Sequence, residues 1–393
     1  MSSQNSMMVS DSKEKSEKKT ESIRAFEFLY FTLKLQGMVI MENYPLRQKI
    51  HVVTNYILVN ICYYSTFTIQ LFYVNDLKEF LGNFPMNLCV TACCIKFSVI
   101  LKLRRSFIEV NKKLEHLDSR PMTEAQKDEL NKEINFCRFT SKILIVLYLV
   151  VNLMYALTGA LSHGTRLGFE TWFPYDWRKS ALRFWISLSI QSSFQILLSM
   201  QNVANDFLVP WYLSVVSAHL QIVMDRFAII HHDPEKTEEE SFQDFIQCLA
   251  DHRSIMDIFE IIQNTLSFTI FFQFITSILA FSTLGVIYFR FSPPLAETVA
   301  VFILMLTVIT EILPSCYYSD KFMEKTDQMD FMIYSSNWTD LSPKFRKHLI
   351  IFMQMTQKKK VILAGKQIPI TLATFMSVMK AMYTMLMILN PTD

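Results

Sequence analysis

Ile370-Thr-Leu-Ala-Thr-Phe-Met-Ser-Val-Met-Lys380-Ala-Met-Tyr-Thr-Met-Leu-Met-Ile-Leu389 is twenty residues long and carries one charge, Lys380. At about 1.5 Å of rise per residue the run is about 30 Å long as a helix, the hydrocarbon thickness of a bilayer. Pro369 stands where the first turn of such a helix tolerates proline. Just upstream, Phe345-Arg-Lys-His-Leu-Ile-Ile-Phe-Met-Gln-Met places Phe345, Leu349, Phe352 and Met353 at helical spacing. Lys358, Lys359 and Lys360 follow, then a break at Ala364-Gly365-Lys366. The pattern reads as a basic amphipathic helix, a glycine hinge and a final membrane span.

Composition agrees. Of 393 residues, 51% are hydrophobic and 19% charged, below the ~25% charge of soluble domains. Seven glycines leave little room for the turns of an all-β barrel, and 33 phenylalanines fit long apolar helices. The net charge of +2 gives no reason to expect nucleic acid. The seven cysteines show no zinc spacing and read as small buried hydrophobes, so no metal and no cofactor is expected. Met1 to Ser22 is rich in Ser, Lys and Glu with no apolar core, which reads as a disordered cytosolic tail and not as a signal peptide.

In chain order, Phe26 to Leu35 reads as a short interfacial helix. The first span is Val52–Val74 and the second Phe84–Leu101, interrupted by Lys96. A charged helical stretch covers Lys102–Lys142, and Ile143–Ser162 is the third span. A loop with Trp172-Phe173-Pro174-Tyr175-Asp176-Trp177 follows, as an interfacial belt or a lid over a pocket. Leu182–Ile230 is too long for one span; it crosses to about Pro210 and continues outside the bilayer. His231–His252 reads as a charged loop, Ile255–Tyr288 as the fifth span and Ala296–Cys316 as the sixth. The fold class is therefore all-α, a polytopic membrane protein with seven transmembrane helices.

Lysine and arginine orient it. With the N-terminus cytosolic, inner segments hold 30 of the 38 Lys and Arg, outer loops 6, and Lys96 and Lys380 lie in spans. The C-terminus is then extracellular, and the usable sequon Asn337-Trp338-Thr339 stays in the cytosol. The domains expected are a tail (1–22), six helices with an outer-half pocket (23–316), a cytosolic anchor holding the amphipathic helix (317–363), and the pore helix with the C-terminus (364–393).

A G-protein-coupled receptor fits poorly, because the orientation is inverted and Asp225-Arg226-Phe227 follows the fourth apolar run rather than the third. An enzyme is not expected: no Gly-rich phosphate loop, His-Glu-x-x-His or Gly-x-Ser-x-Gly occurs. His231-His232-Asp233 reads as a solvated loop. On the last helix Ser377, Ala381, Thr384 and Ile388 share a face. They suit either a conduit closed by one branched apolar side chain or plain helix packing through small residues.

The stretch Tyr334-x-x-x-Trp338-x-x-Leu341, Phe352-Met-Gln354, Ala364-Gly365-Lys366, Pro369-x-x-Leu372-x-x-Phe375-x-x-x-x-Lys380-Ala381-x-Tyr383-Thr384 resembles the C-terminal signature of insect odorant receptors. A gustatory receptor would show Thr-Tyr-Leu-x-x-x-Gln-Phe, where this chain reads Thr384-Met385-Leu386-Met387-Ile388-Leu389-Asn390. The resemblance implies an odorant-gated, non-selective cation channel in the plasma membrane of olfactory neuron dendrites. It further implies a tuning subunit that forms heterotetramers with a shared co-receptor; the co-receptor has a large insertion after the fourth span, where this loop has about twenty residues. The gate implied is Ile388 with Met385 and Thr384 beside it, and Ser377 and Ala381 further along the pore face. The implied odorant pocket lies between the second, third, fourth and sixth spans. By depth it would take Asn87, Val90, Thr91 and Cys94; Tyr155, Thr158, Gly159 and Ser162; Ser187, Gln191 and Phe194; and Ala300 and Leu304.

Overall fold

The computed structural model describes residues 21–162, 164–231, 233, 235–291, 295–357 and 360–389. The expected tail falls outside them up to residue 20, as do Asn390 to Asp393. A 3-10 turn, Ser22–Phe26, leads into α1 (Glu27–Leu35). Then α2 (Leu46–Asn55), a π-helical stretch (Tyr56–Tyr63) and α3 (Tyr64–Tyr73) follow without a break. Next come α4 (Leu77–Lys102), α5 (Arg104–Asp118), α6 (Glu124–Leu161), α7 (Ala181–Ala228), α8 (Glu238–Phe291) and α9 (Leu295–Asp327). The chain finishes with α10 (Met329–Tyr334), α11 (Pro343–Thr356), a hairpin of β1 (Leu363–Ala364) and β2 (Ile368–Pro369), and α12 (Leu372–Leu389).

Among the described residues five helical segments are long and apolar enough to cross a membrane: α4, α6, α7, the Ser267–Phe291 part of α8, and α9 from Val301 on. The α2–π–α3 rod and α12 complete seven. The helices differ in how they use their apolar surface. The apolar stretch of α7 is 94% buried, whereas that of α6 is 11% buried. So α7 is the central pillar, packed on α6, α8, α9, α1 and α4, and α6 turns Val146, Leu147, Val150, Leu153 and Met154 outward, exposed. The pillar explains why the fourth apolar run tolerates Gln191, Gln195, Gln201 and Asp206: each points into protein, where a partner waits.

Beyond the spans the helices continue into one large core. Its ion pairs close the bundle at that end. Arg120 and Arg226 both grip the buried Asp251, Lys321 holds Glu133, and Arg138 holds Glu27. The amphipathic stretch behaves as its spacing predicts. Phe345, Leu349 and Phe352 of α11 are buried against Phe227 and Phe245, with Met353 half-buried. The Ser342 hydroxyl caps this helix by accepting from the Phe345 N–H, with Pro343 in its first turn.

Three local expectations change. The charged loop ends at residue 237, not 252. Thr237 and Glu240 form a reciprocal cap, so α8 starts at Glu238 and the fifth span is the continuation of a 54-residue helix. Phe26 to Leu35 is not interfacial: Phe26, Leu29 and Leu33 are buried in the main core against α7. Pro369 lies in β2 rather than in a helix; α12 begins after Thr371, whose hydroxyl accepts from the Thr374 N–H.

The hinge is a clamped hairpin. Ala364 to Gln367 form a turn closed by Gln367 N–H to the Ala364 carbonyl at 3.1 Å, with φ of 59° at Gly365 and 61° at Lys366. Helix α8 holds it. The Gln263 amide exchanges two hydrogen bonds with Leu363 (2.8 and 2.9 Å). One turn later, Ser267 accepts from Gly365 N–H through its carbonyl (2.9 Å) and from Lys366 N–H through its hydroxyl (3.0 Å).

Candidate ligand site and pore face

The loop between α6 and α7 folds inward as a lid. Gln191 on α7 pairs with Phe169 as a strand partner would: its Oε1 accepts from Phe169 N–H (3.1 Å) and its Nε2 donates to the Phe169 carbonyl (2.8 Å). Nε2 also donates to the Thr171 hydroxyl at 2.6 Å. The Phe169 ring stacks on Tyr155 of α6 at 4.2 Å. Gly159 on α6 and Gly168 in the loop permit this approach. A Cβ at Gly159 would meet Gly168 N at 2.9 Å, and one at Gly168 would meet the Tyr155 carbonyl at 2.7 Å.

A small cavity lies under this lid, lined by Asn152, Ala156, Gly168, Phe169, Gln191, Ser192 and Gln195. The π-helical stretch of the first span contributes to its surroundings. Its wider turn aims Tyr63 inward, where the hydroxyl donates to Gln195 Oε1 at 2.9 Å and the ring stacks on Phe194. Asn152, Gln191, Ser192 and Gln195 make most of its lining polar, and Phe169 and Ala156 supply its apolar part.

Of the residues expected from depth alone, Gln191 lines the cavity, Tyr155 and Gly159 hold its lid, and Phe194 lies against Tyr63. Val90 and Cys94 belong to an adjoining buried cluster with Tyr63, Phe67 and Leu198. Asn87 and Thr91 turn toward α3, bonding Thr68 and Tyr64. Ser187 pairs with the Tyr175 hydroxyl at 2.9 Å, tying the aromatic loop to α7. Ser162 finishes α6 by bonding Gly159 and Arg166. Thr158 is exposed and bonds only its own helix. Leu304 packs in a separate cluster with Leu284, Ile287 and Val301, and the Ala300 side chain is outside those described. Depth alone misses Asn152, Ala156, Gly168, Phe169, Ser192 and Gln195. The four-residue spacing of Gln191 and Gln195 was their one visible signal.

Helix α12 packs on α8 and α9 through Val378 and Met382. Its other face is uncovered by the described residues. Ser377, Thr384 and Ile388 lie on it, with Ile388 65% exposed, and Ala381 and Met385 sit half-buried at its border. Lys380 is exposed on the same face. A charged side chain on a membrane helix with no protein over it needs water or a neighbouring subunit.

The fold and site define a class: a helical membrane protein with a small lidded cavity and a final helix with one face left free. The family model described as "7tm Odorant receptor" matches residues 76–383, and the chain belongs to that family. It is 28% identical over 295 residues to Odorant receptor 33a of Drosophila melanogaster, covering 74% of this chain and 78% of that one. Odorant receptor 33b of the same fly is 28% identical over 315 residues, 78% and 83% of the two chains. Among solved structures, the olfactory receptor OR5 of Machilis hrabei superposes with a TM-score of 0.78 at 15% identity, covering 94% of this chain and 98% of its own. The same receptor in complex with eugenol superposes at 0.75.

Proposed function

We propose that this chain is the odorant-binding subunit of a ligand-gated, non-selective cation channel. The observation that carries the reading is the pairing, in a member of the odorant receptor family, of a lidded pocket with a pore-like helix whose polar face none of the described residues covers. The N-terminus faces the cytosol and the C-terminus faces outward, a reading supported by the distribution of Lys and Arg. Residues 317–363 anchor the assembly on the cytosolic side, and 364–393 form the pore wall and its end. The partner is the shared co-receptor in a heterotetramer, at the plasma membrane of the sensory dendrite.

The ligand is a small volatile of mostly apolar surface, the chemistry to which eugenol, bound by the Machilis receptor, also belongs. It enters beneath Phe169, where burial contributes about 25 cal/mol per Å² of apolar surface. Asn152, Gln191 or Gln195 supplies one orienting hydrogen bond. Such a site gives graded selectivity rather than all-or-none recognition. Binding favours the open channel only by its differential affinity for the two states. The route available is α7 and α8, which join the pocket to the clamped hairpin and α12, moving Ile388 from the axis.

Whole-cell recording tests this directly. Cells co-expressing the chain with the co-receptor, with G-protein signalling blocked, are expected to pass odorant-evoked cation current. Loss of the current under that block would favour a metabotropic receptor.

A further inference from the structure

Four helices meet around a second, deeper cavity that the odorant pathway does not use. Lys96 (α4), Asp206 and Asn205 (α7), Gln273 (α8) and Glu311 (α9) line it, with room for a single water-sized body. Lys96 forms a buried ion pair with Asp206 Oδ1 and donates to Gln273 Oε1 at 2.7 Å. The ammonium has only donors, so it fixes the orientation of the Gln273 amide and turns its NH2 group away. That NH2 group donates to Glu311 Oε2 at 2.5 Å, while Asn202 donates to Glu311 Oε1 at 3.1 Å. Glu311 thus faces N–H donors on both oxygens. Two carboxyl groups thus share one ammonium inside a membrane protein, where ionising both is costly unless a further cation compensates the second.

The same cavity holds unsatisfied oxygens. Asp206 Oδ2 and Asn205 Oδ1 are buried and have no hydrogen-bond partner, though both side chains are more than nine-tenths covered. Pro210, four residues on, has no N–H to give the Asp206 carbonyl, so that oxygen lacks its helical donor as well. All three are hard oxygen donors, and no cysteine or histidine lines the cavity. Among the described residues no group of three or more His, Cys, Asp and Glu is placed to hold a metal, which removes the usual divalent site.

We infer that this cavity binds one sodium ion, through Asp206, Asn205 and the proline-freed carbonyl. A single monovalent cation compensates the second carboxyl group when both are ionised, and the space suits a small cation. All three donors lie on α7, and Lys96, Gln273 and Glu311 link the site to α4, α8 and α9.

The test is ion-dependent stability of the full-length chain in lipid nanodiscs. Unfolding is followed by tryptophan fluorescence, for which the buried Trp211 is a nearby reporter. Sodium, potassium and choline chlorides are compared at equal ionic strength. Sodium is expected to raise the midpoint by about 2–4 °C over choline, and potassium by less. Glu311→Gln should abolish the sodium shift, and Asn205→Ala should weaken apparent sodium affinity several-fold. Equal wild-type midpoints in sodium and choline would overturn the inference, as would an undiminished shift in Glu311→Gln. The wild-type comparison decides the matter even if Glu311→Gln does not fold.

Discussion

Replacing Gly365 with alanine attacks the joint between the anchor and the last helix in two separable ways. Its φ of +59° is a left-handed conformation, which costs an L-residue about 1–2 kcal/mol. The new Cβ would also meet the Phe271 ring at 2.9 Å from Cγ and the Phe271 Cβ at 3.3 Å. That is the root of the side chain, not a flexible end, and it sits on the helix that clamps the hairpin, so overpacking adds about 1–3 kcal/mol. The total, about 2–5 kcal/mol, falls on a segment held chiefly by its bonds to Gln263 and Ser267. Gly365→Ala is therefore expected to lower the unfolding midpoint and the fraction reaching the cell surface. In Gly365→Ala/Phe271→Ala the overlap is gone and the φ cost remains, so a double-mutant cycle should show a favourable coupling of about 1–3 kcal/mol. Lys366, at a φ of +61°, provides the control. In Lys366→Gly, relief of about 1–2 kcal/mol is offset by about 0.5–1 kcal/mol of added chain entropy, so that change should be close to neutral. A Gly365→Ala chain as stable as wild type, or a cycle with zero coupling, would refute the reasoning.

Further outcomes follow from the same structure. Gln191→Leu removes three hydrogen bonds and leaves both backbone groups of Phe169 unpaired, at about 1–3 kcal/mol each; odorant EC50 should rise tenfold or more, and an unchanged dose–response curve would reject the lid. Ile388→Ala is expected to raise basal current of the assembled channel; unchanged basal current and ligand sensitivity would move the gate elsewhere. His252, in the part of α8 before its apolar stretch and against Phe352, is pushed down to about 4 by burial and, secondarily, by Lys360. Its unfolded value is about 6.5, so between those values the unfolded chain binds the extra proton. This group's contribution is complete above pH 6.5 and is lost as pH falls toward 4, amounting to about 3 kcal/mol at most, and a His252→Leu chain should show a flatter midpoint-against-pH curve over that window.

What the sequence makes legible here depends on range. Spans, their order and the amphipathic α11 follow from periodicity, because lipid and core both reward it locally. The start of α8 was also written in the chain, in Thr237-Glu-Glu-Glu240, but the density of charge around it reads as loop. The burial of Phe26, Leu29 and Leu33 was not legible, since a short amphipathic helix looks the same whether it covers lipid or protein. Rotation was not legible: of the residues expected from depth, Gln191 alone lines the cavity. Thr158 and Gly159 are neighbours, yet one faces outward and the other meets Gly168. The lid was half visible: the aromatic loop stood out through Trp172 and Trp177, while the residue inserted over the cavity is Phe169, placed by a glutamine 22 positions away. On α12 the free face containing Ser377, Thr384 and Ile388 was readable because one side of a single helix is a local pattern.

The most direct test of the central claim is an outside-out patch, excised from cells expressing this chain with the co-receptor and perfused without nucleotides. The account predicts odorant-evoked single-channel openings that persist after excision and reverse near 0 mV in mixed sodium and potassium. Patches that stay silent, while intact cells raise a second messenger to the same odorant, would contradict it.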